Sequence, residues 1–375
     1  MSGAILKPQA GSATCNSGLS VSGDWSSAGD FDANGAAVTF NGTAPQTISG
    51  EDGFEDVTFS NPTTVTATAP FAASGTLTIT DGVVTLPDGA TVNDVVIGAE
   101  GTLAMENGGT LTVTGDWTDE NLAGGFDAND STVVFNGGGE QTFTGSSTFA
   151  NIVVEGPATL ALGDNANLGY SGDFDLNNGG GLDATSNDNT TITLVHTDNS
   201  PAPQQLPGPG DIVLDNLVIE PGVTLSGDGQ NLTLEGDFTN NGTFNGGTGG
   251  VTFDGPDGQS QTIGGSGDTN FADLVISNDV TADGPVDVAG ELHVTGDGTF
   301  TPADGSSFHD VLIDAGGTLD GSDGTIHVTG DWNNNGSFVP GDGTVVFEGS
   351  EDQTISGDNT FNNLVINKDC TATSG

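Results

Sequence analysis

The chain has 375 residues, of which 62 are Gly and 52 are Asp or Glu, and its formal net charge is −50 because Lys7 and Lys368 are the only Lys or Arg. Phosphate backbones and anionic lipid surfaces are bound by cationic side chains, so this composition excludes nucleic acid as a partner. No run of about 20 apolar residues is present, which predicts no membrane insertion.

The first segment, residues 1–12, precedes the repeated pattern described below and contains the apolar run Ala4-Ile5-Leu6. It lacks the longer apolar region of a secretory signal. We therefore expect residues 1–12 to be an N-terminal extension to a repeat region that covers residues 13–375.

Short β-branched runs fill the chain after residue 13, among them TLTIT at 76–80, DVVIG at 94–98 and TVVFEG at 344–349. Gly, Asn, Asp and Pro interrupt these runs every few residues, which is typical of strands joined by turns. No helical period lasts for three turns anywhere. The sequence predicts an all-β fold.

One long pattern recurs four times along the chain. It opens with Gly-Asp-Trp or Gly-Asp-Phe, continues with a Phe at a strand end and a Gln-Thr pair, and closes with a second Phe. These residues are the dipeptides Gly23-Asp24, Gly115-Asp116, Gly236-Asp237 and Gly330-Asp331, the strand Phe40, Phe135, Phe253 and Phe347, the glutamines Gln46, Gln141, Gln261 and Gln353, and the closing Phe54, Phe149, Phe271 and Phe361.

The spacing of the repeats sets the predicted domain organisation. The strand Phe residues are 95, 118 and 94 residues apart, so the second interval holds about one extra coil, which we place around residues 181–199 and the Pro-rich 201–210. The four units then cover about 13–110, 111–230, 231–325 and 326–375 of a single continuous domain.

Each unit contains strand-turn cycles of roughly 20 residues, the size of one coil of a β-solenoid. We predict a right-handed parallel β-helix of about 18 coils, with Gly and Asn at the corners where a positive φ is needed. An array of β-sandwiches is the alternative fold, because 95 residues also suit one sandwich. The repeats run together without linkers, which favours the solenoid.

The stretch GDWNNNGSFVPGDGTVVFEGSEDQTISGDNTFNNLVIN, residues 330–367, resembles the β-strand repeats of large secreted bacterial and archaeal surface proteins of the haemagglutinin-like and adhesin-like kind. The resemblance covers nearly the whole chain from Gly11 to Gly375. It implies a parallel β-helix, an extracellular or cell-surface location and a structural or adhesive role. It supplies no active site.

Parallel β-helices include polysaccharide lyases and hydrolases, and the abundant Asp residues raise that alternative here. The acids stand in turns such as DGS and GDG, where Asp side chains bond to nearby backbone. We therefore expect no enzymatic activity, with a polysaccharide-active enzyme as the less favoured alternative. His293 and His327 occupy equivalent places in LHVTG and IHVTG and are expected to face outward. His196 and His309 are isolated, so the sequence predicts no zinc site.

One segment opens like a calcium loop. In DFDANG, Asp30, Asp32 and Asn34 offer oxygen ligands at the right spacing, but Asn41 stands where the bidentate Glu of such a loop would be. We expect no cofactor and keep calcium at these three residues as an open alternative.

The ends of the sequence hold two halves of one pattern. Residues 363–375, NLVINKDCTATSG, stop midway through it, and residues 12–25, SATCNSGLSVSGDW, carry the remainder. No capping element is recognisable, so we expect a solenoid uncapped at both ends. Placed in series, the halves put Leu364 and Ile366 beside Leu19 and Val21 of another copy, which would complete the unit at 326–375.

The two Cys residues, Cys15 and Cys370, lie in these half patterns. A rod of 18 coils would be roughly 85–90 Å long, and a disulfide needs Cα atoms within about 7 Å, so a bond between them would join two subunits. Two free, buried thiols are the alternative. Ile5 and Leu6 of the extension would then contact the neighbouring subunit as a strap.

The sequence thus predicts a structural subunit that assembles head-to-tail with other copies of itself into an extracellular filament or surface fibre. The alternative is a segment of a long adhesin that binds surface glycans, in which neighbouring parts of the same polypeptide supply the missing coils.

Overall fold

A computed structural model describes residues 13–14, 17–27, 31–50, 53–68, 70–185, 189–197, 203–227, 229–256 and 258–367. Their contacts divide the chain into two compact units. Unit 1 contains the described residues up to Thr191 together with Thr197, and unit 2 contains Ile192–His196 and the described residues from 203 onward. Within these described ranges every regular element is a β-strand.

The strands of unit 1 are short near its start and longest in the middle. They are β1 (Ala13–Thr14), β2 (Leu19–Val21), β3 (Trp25–Ser26), β4 (Phe31–Asp32), β5 (Val38–Phe40), β6 (Gln46–Ser49), β7 (Gly53–Phe54), β8 (Val57–Ala67), β9 (Ala72–Leu86), β10 (Ala90–Met105), β11 (Thr110–Val113), β12 (Trp117–Asp119), β13 (Phe126–Asp127), β14 (Thr132–Phe135), β15 (Glu140–Phe149), β16 (Asn151–Glu155), β17 (Thr159–Leu162), β18 (Asn167–Tyr170), β19 (Phe174–Asn177) and β20 (Gly181–Asp183). The boundary between the units falls within β21 (Thr191–Leu194).

Most strands of unit 2 have three or four residues. They are β22 (Gln204–Gln205), β23 (Ile212–Leu214), β24 (Asn216–Ile219), β25 (Thr224–Ser226), β26 (Leu232–Leu234), β27 (Phe238–Asn240), β28 (Thr243–Asn245), β29 (Gly250–Phe253), β30 (Ser260–Gly264), β31 (Asp268–Phe271), β32 (Asp273–Ile276), β33 (Asp279–Ala282), β34 (Asp287–Val294), β35 (Thr299–Thr301), β36 (Ser306–Ile313), β37 (Thr318–Asp320), β38 (Thr325–Val328), β39 (Trp332–Asn334), β40 (Ser337–Val339), β41 (Thr344–Phe347), β42 (Ile355–Gly357) and β43 (Asn363–Ile366).

Each strand pairs in parallel with a strand of the next coil, so residues of one kind stack in columns. In unit 1, Leu111 lies opposite Val133, Val133 opposite Ile152, and Ile152 opposite Phe174. These residues are 22, 19 and 22 positions apart, which is the length of one coil. In unit 2 an equivalent column runs through the strands β26, β29, β32 and β34.

Alternation along each strand decides which residues enter the core. In β11, Leu111 and Val113 are fully buried, whereas Thr110 and Thr112, which alternate with them, are half-buried on the outer face. Successive side chains of a strand point to opposite faces, so a period of two places one row inside the coil. Each large apolar side chain buried in this way contributes about 1.5–3 kcal/mol.

The aromatic residues of the repeated pattern form one cluster per repeat inside the coil. The first ring of each cluster packs edge-on against the next aromatic residue, with centroid distances of 4.9–5.3 Å. The four pairs are Trp25–Phe31, Trp117–Phe126, Phe238–Phe244 and Trp332–Phe338. Edge-to-face packing adds about 0.5–1.5 kcal/mol beyond burial, so the pattern seen in the sequence is a repeated core unit.

The turns between strands use left-handed backbone where the chain bends sharply. Asn34 and Gly35 have φ of 47° and 78°, and Asn178 and Gly179 have 51° and 88°. Asn and Gly tolerate this conformation better than other residues, which explains their frequency at the corners.

The fold prediction is confirmed: the chain forms an all-β parallel solenoid, with about 17 turns against the expected 18. Parallel pairing throughout the described ladders also removes the sandwich alternative, whose strands pair antiparallel. The expected extension at residues 1–12 lies outside the described residues.

Candidate functional site

The most regular polar feature of the molecule is the corner where the Gln-Thr pair of one coil meets the Gly-Asp dipeptide of the coil before it, which we call the Gln–Asp corner. At its best-defined copy, Gln141 is buried and its Nε2 donates to the carbonyl oxygens of Val113 and Gly115, at 3.1 and 2.5 Å. Its Oε1 accepts the backbone N–H of Gly137 at 2.7 Å. One side chain thus satisfies three buried backbone groups.

The same bonds recur in the other repeats. Gln46 and Gln261 each donate to two carbonyl oxygens of the preceding coil and accept the N–H of a Gly, as Gln141 does. Gln353 keeps both donated bonds, but its Oε1 is buried without a hydrogen-bond partner among the described residues. The fourth corner therefore has one bond fewer than the other three.

The Asp of each Gly-Asp dipeptide closes the corner from the other side. Its Oδ1 accepts the backbone N–H of the Thr that follows the Gln, at 2.7–2.9 Å. The pairs are Asp24 with Thr47, Asp116 with Thr142, Asp237 with Thr262, and Asp331 with Thr354. A carboxylate that accepts a backbone N–H between coils is a structural group, so these bonds explain why the pattern needs both residues.

Other corners use the same device. Asp94 Oδ1 accepts the N–H of Asp116, and Asn151 Oδ1 accepts the N–H of Asp173. An amide oxygen can replace the carboxylate because both are acceptors. Much of the acidity of this chain thus sits at exposed corners, where it holds backbone between coils.

One acid differs from the rest because it is buried. Asp119 is 1% exposed and lies at the end of β12, where its Oδ2 accepts a hydrogen bond from Ser147 Oγ at 2.6 Å and its Oδ1 accepts one from Asn121 N at 3.0 Å. Trp117 Nε1 donates to the same Ser147 Oγ at 3.0 Å. Desolvation by burial raises the pKa of Asp119, and the two hydrogen bonds oppose that shift in part.

The histidines of unit 2 face outward, as the sequence predicts. His293 Nε2 lies 2.9 Å from Asp314 Oδ2, and His327 Nδ1 lies 2.9 Å from Glu348 Oε1. The two rings do not stack, since His293 stands opposite Leu312 in β36 whereas His327 stands opposite a different residue of that strand. Across the described part of the chain, no group of three or more His, Cys, Asp or Glu could hold a metal ion.

The calcium hypothesis falls partly outside what the structure describes. Asp30 is outside the described residues, and the side chain of Asp32 is likewise not described. Asn34 lies in the left-handed turn with Gly35, whose N–H donates to Glu55 Oε2 at 2.6 Å. Calcium at this loop stays a prediction.

The residues predicted to contact another subunit are described in part. Leu364 and Ile366 in β43 are 43% and 53% exposed, although they continue columns in which Val345 and Phe347 are buried. Leu19 and Val21 form β2, which pairs with β5 and borders a small cavity of about 90 Å³. Cys15, Cys370, Ile5 and Leu6 lie outside the described residues, so their roles stay predictions.

A larger recess of about 450 Å³ lies on unit 2, between residues 263–270 and residues 284–287. Glycines supply much of its wall, together with Asp268, Asp287 and Pro285. Sugar rings are commonly bound on aromatic faces, and none of the residues that line this recess is aromatic. The recess therefore gives no specific support to glycan binding.

Comparisons with protein-family models, with curated proteins and with solved structures found no match. The structure also contains, in its described ranges, no helix long and apolar enough to cross a membrane.

Two features of the site were not anticipated from the sequence. The Gln-Thr pair is recognisable as a motif, but the two residue types do not indicate that the Gln is buried and bonds to three backbone groups. Asp119 follows Gly-Asp-Trp at the place where the other repeats carry Asn240, Asn334 or Ser27. An alignment of the four repeats would have singled it out as the one acid at an otherwise uncharged position.

Proposed function

We propose that this protein is a structural subunit of an extracellular filament or surface fibre, in which the β43 edge of one copy is extended by the β2 edge of another. The observation that carries this proposal is the exposure of Leu364 and Ile366. In earlier coils, residues at the same places in their columns, such as Leu274 and Ile276, are fully buried. Among the described residues β43 pairs with β41 alone, and an apolar pair at such an edge of a parallel ladder favours the addition of one more strand.

The register of the added strand follows from the existing ladders. Val345 stands opposite Leu364, and Phe347 opposite Ile366. In the other edge, Leu19 stands opposite Val38, and Val21 opposite Phe40. A strand pair between copies that places Leu364 beside Leu19 and Ile366 beside Val21 would continue both columns without a change of face.

Charge sets the conditions under which such copies would associate. Two chains of formal net charge −50 repel each other at low ionic strength. At about 0.15 M salt the Debye length is about 8 Å, so only charges near the junction still oppose contact. We expect assembly to require salt or divalent cations, and a disulfide between Cys15 and Cys370 would secure it in oxidising surroundings.

The test is electron microscopy and light scattering of the purified protein over a range of salt concentrations. The informative variant is Leu364→Asp with Ile366→Asp, which places two charges on the junction and should abolish assembly. Val213→Asp is the matched control, because Val213 is a 44% exposed strand residue away from β43 and should leave assembly unchanged. Absence of filaments at every salt concentration, or filaments from the double variant, would contradict the proposal.

The proposed disulfide has its own readout. Assembled protein run on a non-reducing denaturing gel should give a ladder that collapses with reductant. Monomer under both conditions would remove the disulfide but leave the strand-addition proposal standing, since β43 and β2 can pair without it.

The second candidate is a segment of a long surface adhesin with haemagglutinin-like repeats. The same exposed pair in β43 supports it, because a following coil of the same polypeptide would cover Leu364 and Ile366 equally well. The mass of the native gene product separates the two candidates: a much longer polypeptide favours the adhesin, and binding to immobilised surface glycans would then be the assay.

A further inference from the structure

Asn-Gly dipeptides are frequent in the chain and chemically fragile. A Gly has no side chain to obstruct its own backbone nitrogen, which can therefore attack the side-chain amide of the Asn before it. The described residues contain eight such dipeptides, which begin at Asn34, Asn41, Asn107, Asn136, Asn178, Asn241, Asn245 and Asn335.

In seven of the eight the N–H of the Gly donates a hydrogen bond, and that bond must break before the nitrogen can lose its proton and attack the amide. The donors are Gly35 to Glu55, Gly42 to Gln46, Gly108 to Asn129, Gly137 to Gln141, Gly242 to Asn240, Gly246 to Asn270, and Gly336 to Asn334. Two of these bonds, from Gly42 to Gln46 and from Gly137 to Gln141, belong to the Gln–Asp corners described above.

The exception is the turn after β19. Gly179 N has no hydrogen-bond acceptor among the described residues, and both Asn178 and Gly179 are exposed. No heavy atom of the surrounding structure lies within 4 Å of the place where a Cβ of Gly179 would be. The Asn178–Gly179 backbone packs on Gly156, but the Gly179 N–H itself points to no acceptor of the described chain and lies in an exposed turn.

We propose that Asn178 is a site of spontaneous deamidation, and the one of the eight that reacts fastest in the folded protein. The backbone nitrogen of Gly179 loses its proton to solvent and attacks Cγ of Asn178, and Nδ2 takes up a proton from solvent and leaves as ammonia. The five-membered succinimide that results is then opened by one water molecule at either carbonyl, which gives Asp or isoaspartate. No oxidant or cofactor is needed.

The reaction changes a contact between coils. Asn178 Nδ2 donates to Glu155 Oε1 in the intact protein. After deamidation that donor is gone and two carboxylates face each other, while isoaspartate also lengthens the backbone at the corner by one carbon. Two carboxylates within hydrogen-bond distance of each other repel, so we expect the turn after β19 to open more often once Asn178 has reacted.

The experiment follows deamidation by peptide mapping and mass spectrometry during incubation of the folded protein at mildly alkaline pH. Asn178 should react roughly fivefold faster than each of the seven protected sites, the factor that corresponds to one hydrogen bond of about 1 kcal/mol. Equal rates at all eight sites, or a faster rate at a protected one, would overturn the proposal. Asn178→Asp should remove the signal at this peptide and confirm its assignment.

Asn34-Gly35 provides a matched internal control, because its φ angles of 47° and 78° are close to the 51° and 88° of Asn178-Gly179. The two turns differ in the bond from Gly35 N to Glu55 and in the bond from Asn178 Nδ2 to Glu155. Glu55→Ala should raise the rate at Asn34 to about that at Asn178, whereas Glu55→Gln keeps an acceptor and should stay slow. An unchanged rate at Asn41 in the same samples shows that the fold is intact. If Asn34 stays slow in Glu55→Ala, protection by the Gly N–H bond is refuted.

Discussion

The third residue after the Gly-Asp dipeptide is a buried acid at Asp119 of unit 1 and a buried amide at Asn240 and Asn334 of unit 2. Asp119 accepts two hydrogen bonds, from Asn121 N and from Ser147 Oγ. Asn334 instead donates through Nδ2 to the carbonyl oxygen of Asp358, at 3.0 Å, and its Oδ1 accepts the N–H of Gly336 at 3.1 Å. Each residue ends a three-residue strand that begins with Trp, but one corner buries a carboxyl group and the other an amide.

The residue of the next coil also differs between these two corners. Above Asp119 stands Ser147, a hydroxyl that donates to the carboxylate while it accepts from Trp117 Nε1. Above Asn334 stands Asn359, whose Oδ1 accepts from both Asn334 Nδ2 and Trp332 Nε1. At these two corners the polar side chain of the next coil thus matches the residue before it: a hydroxyl donates to the acid Asp119, and an amide oxygen accepts from the amide Asn334.

The largest effect on stability should come from removing the Trp ring that is present at each of the two corners. Trp117→Ala and Trp332→Ala each delete a fully buried side chain and should cost about 3–5 kcal/mol of stability in their unit. Native-state hydrogen exchange of the surrounding coils gives the local value. A loss in one unit without a loss in the other would show that the two clusters are not equivalent in energy, despite their equal geometry.

The next effect comes from converting the unit 2 corner to the unit 1 type. Asn334→Asp places a carboxylate against the carbonyl oxygen of Asp358 without a donor such as Ser147, and should cost about 3 kcal/mol at neutral pH. Acidification should recover most of this loss, because a protonated carboxyl can donate again. Asn333→Asp, exposed on the same strand, is the control and should change stability by less than about 0.5 kcal/mol.

The reverse exchange, Asp119→Asn, should stabilise unit 1 by about 1 kcal/mol at neutral pH, because a desolvated charge is removed and the amide can still accept from Asn121 N. The folded pKa of Asp119 is raised above its ordinary 3.8, so the folded chain holds the proton more tightly than the unfolded chain. The wild type should therefore gain stability as the pH falls from above the folded pKa toward 3.8.

Urea unfolding at several pH values measures this gain, which should be absent in Asp119→Asn. The exposed Asp127→Asn should keep it and serves as the control. If the free energy of unfolding depends on pH in the same way in the wild type and in Asp119→Asn, the folded pKa of Asp119 is not raised.

The smallest effect is expected at the exposed acids. Asp116→Ala removes the acceptor for Thr142 N and should cost about 0.5–1 kcal/mol, the usual value of one hydrogen bond. Asp116→Asn keeps an acceptor and should be close to neutral, as Asn151 already shows by its bond to Asp173 N. Hydrogen exchange at Thr142 reports on this bond directly, and equal protection in both variants would deny it.

Much of this fold could be predicted from the sequence, because a solenoid repeats its signals. The alternation in TLTV at Thr110–Val113 gives the inward row, and the spacing from Leu111 to Val133 gives the coil length. The aromatic residues at Trp117 and Phe149 could be placed in the core for the same reason. Each repeat shows the same strand again, so a strand that is ambiguous in one repeat can be assigned from the others.

The polar interior could not be predicted in the same way. Gln and Asp are polar residues that ordinarily lie on the surface. The burial of Gln141 and Asp119 depends on which backbone group or hydroxyl of a neighbouring coil lies within hydrogen-bond distance. The partners Gly115 and Ser147 are 26 and 28 residues away. Local pattern does not carry that information, whereas a comparison of repeats does so in part.

The direction of the bonds at the Gln–Asp corner has a consequence for how copies can recognise each other. At each corner the later coil supplies the donors, Gln Nε2 and the Thr N–H, and the earlier coil supplies the acceptors. At these corners one face of a coil therefore presents hydrogen-bond donors, and the opposite face presents acceptors. A face of this kind cannot match its own copy across a two-fold axis, so any contact that reuses this chemistry has to be directional.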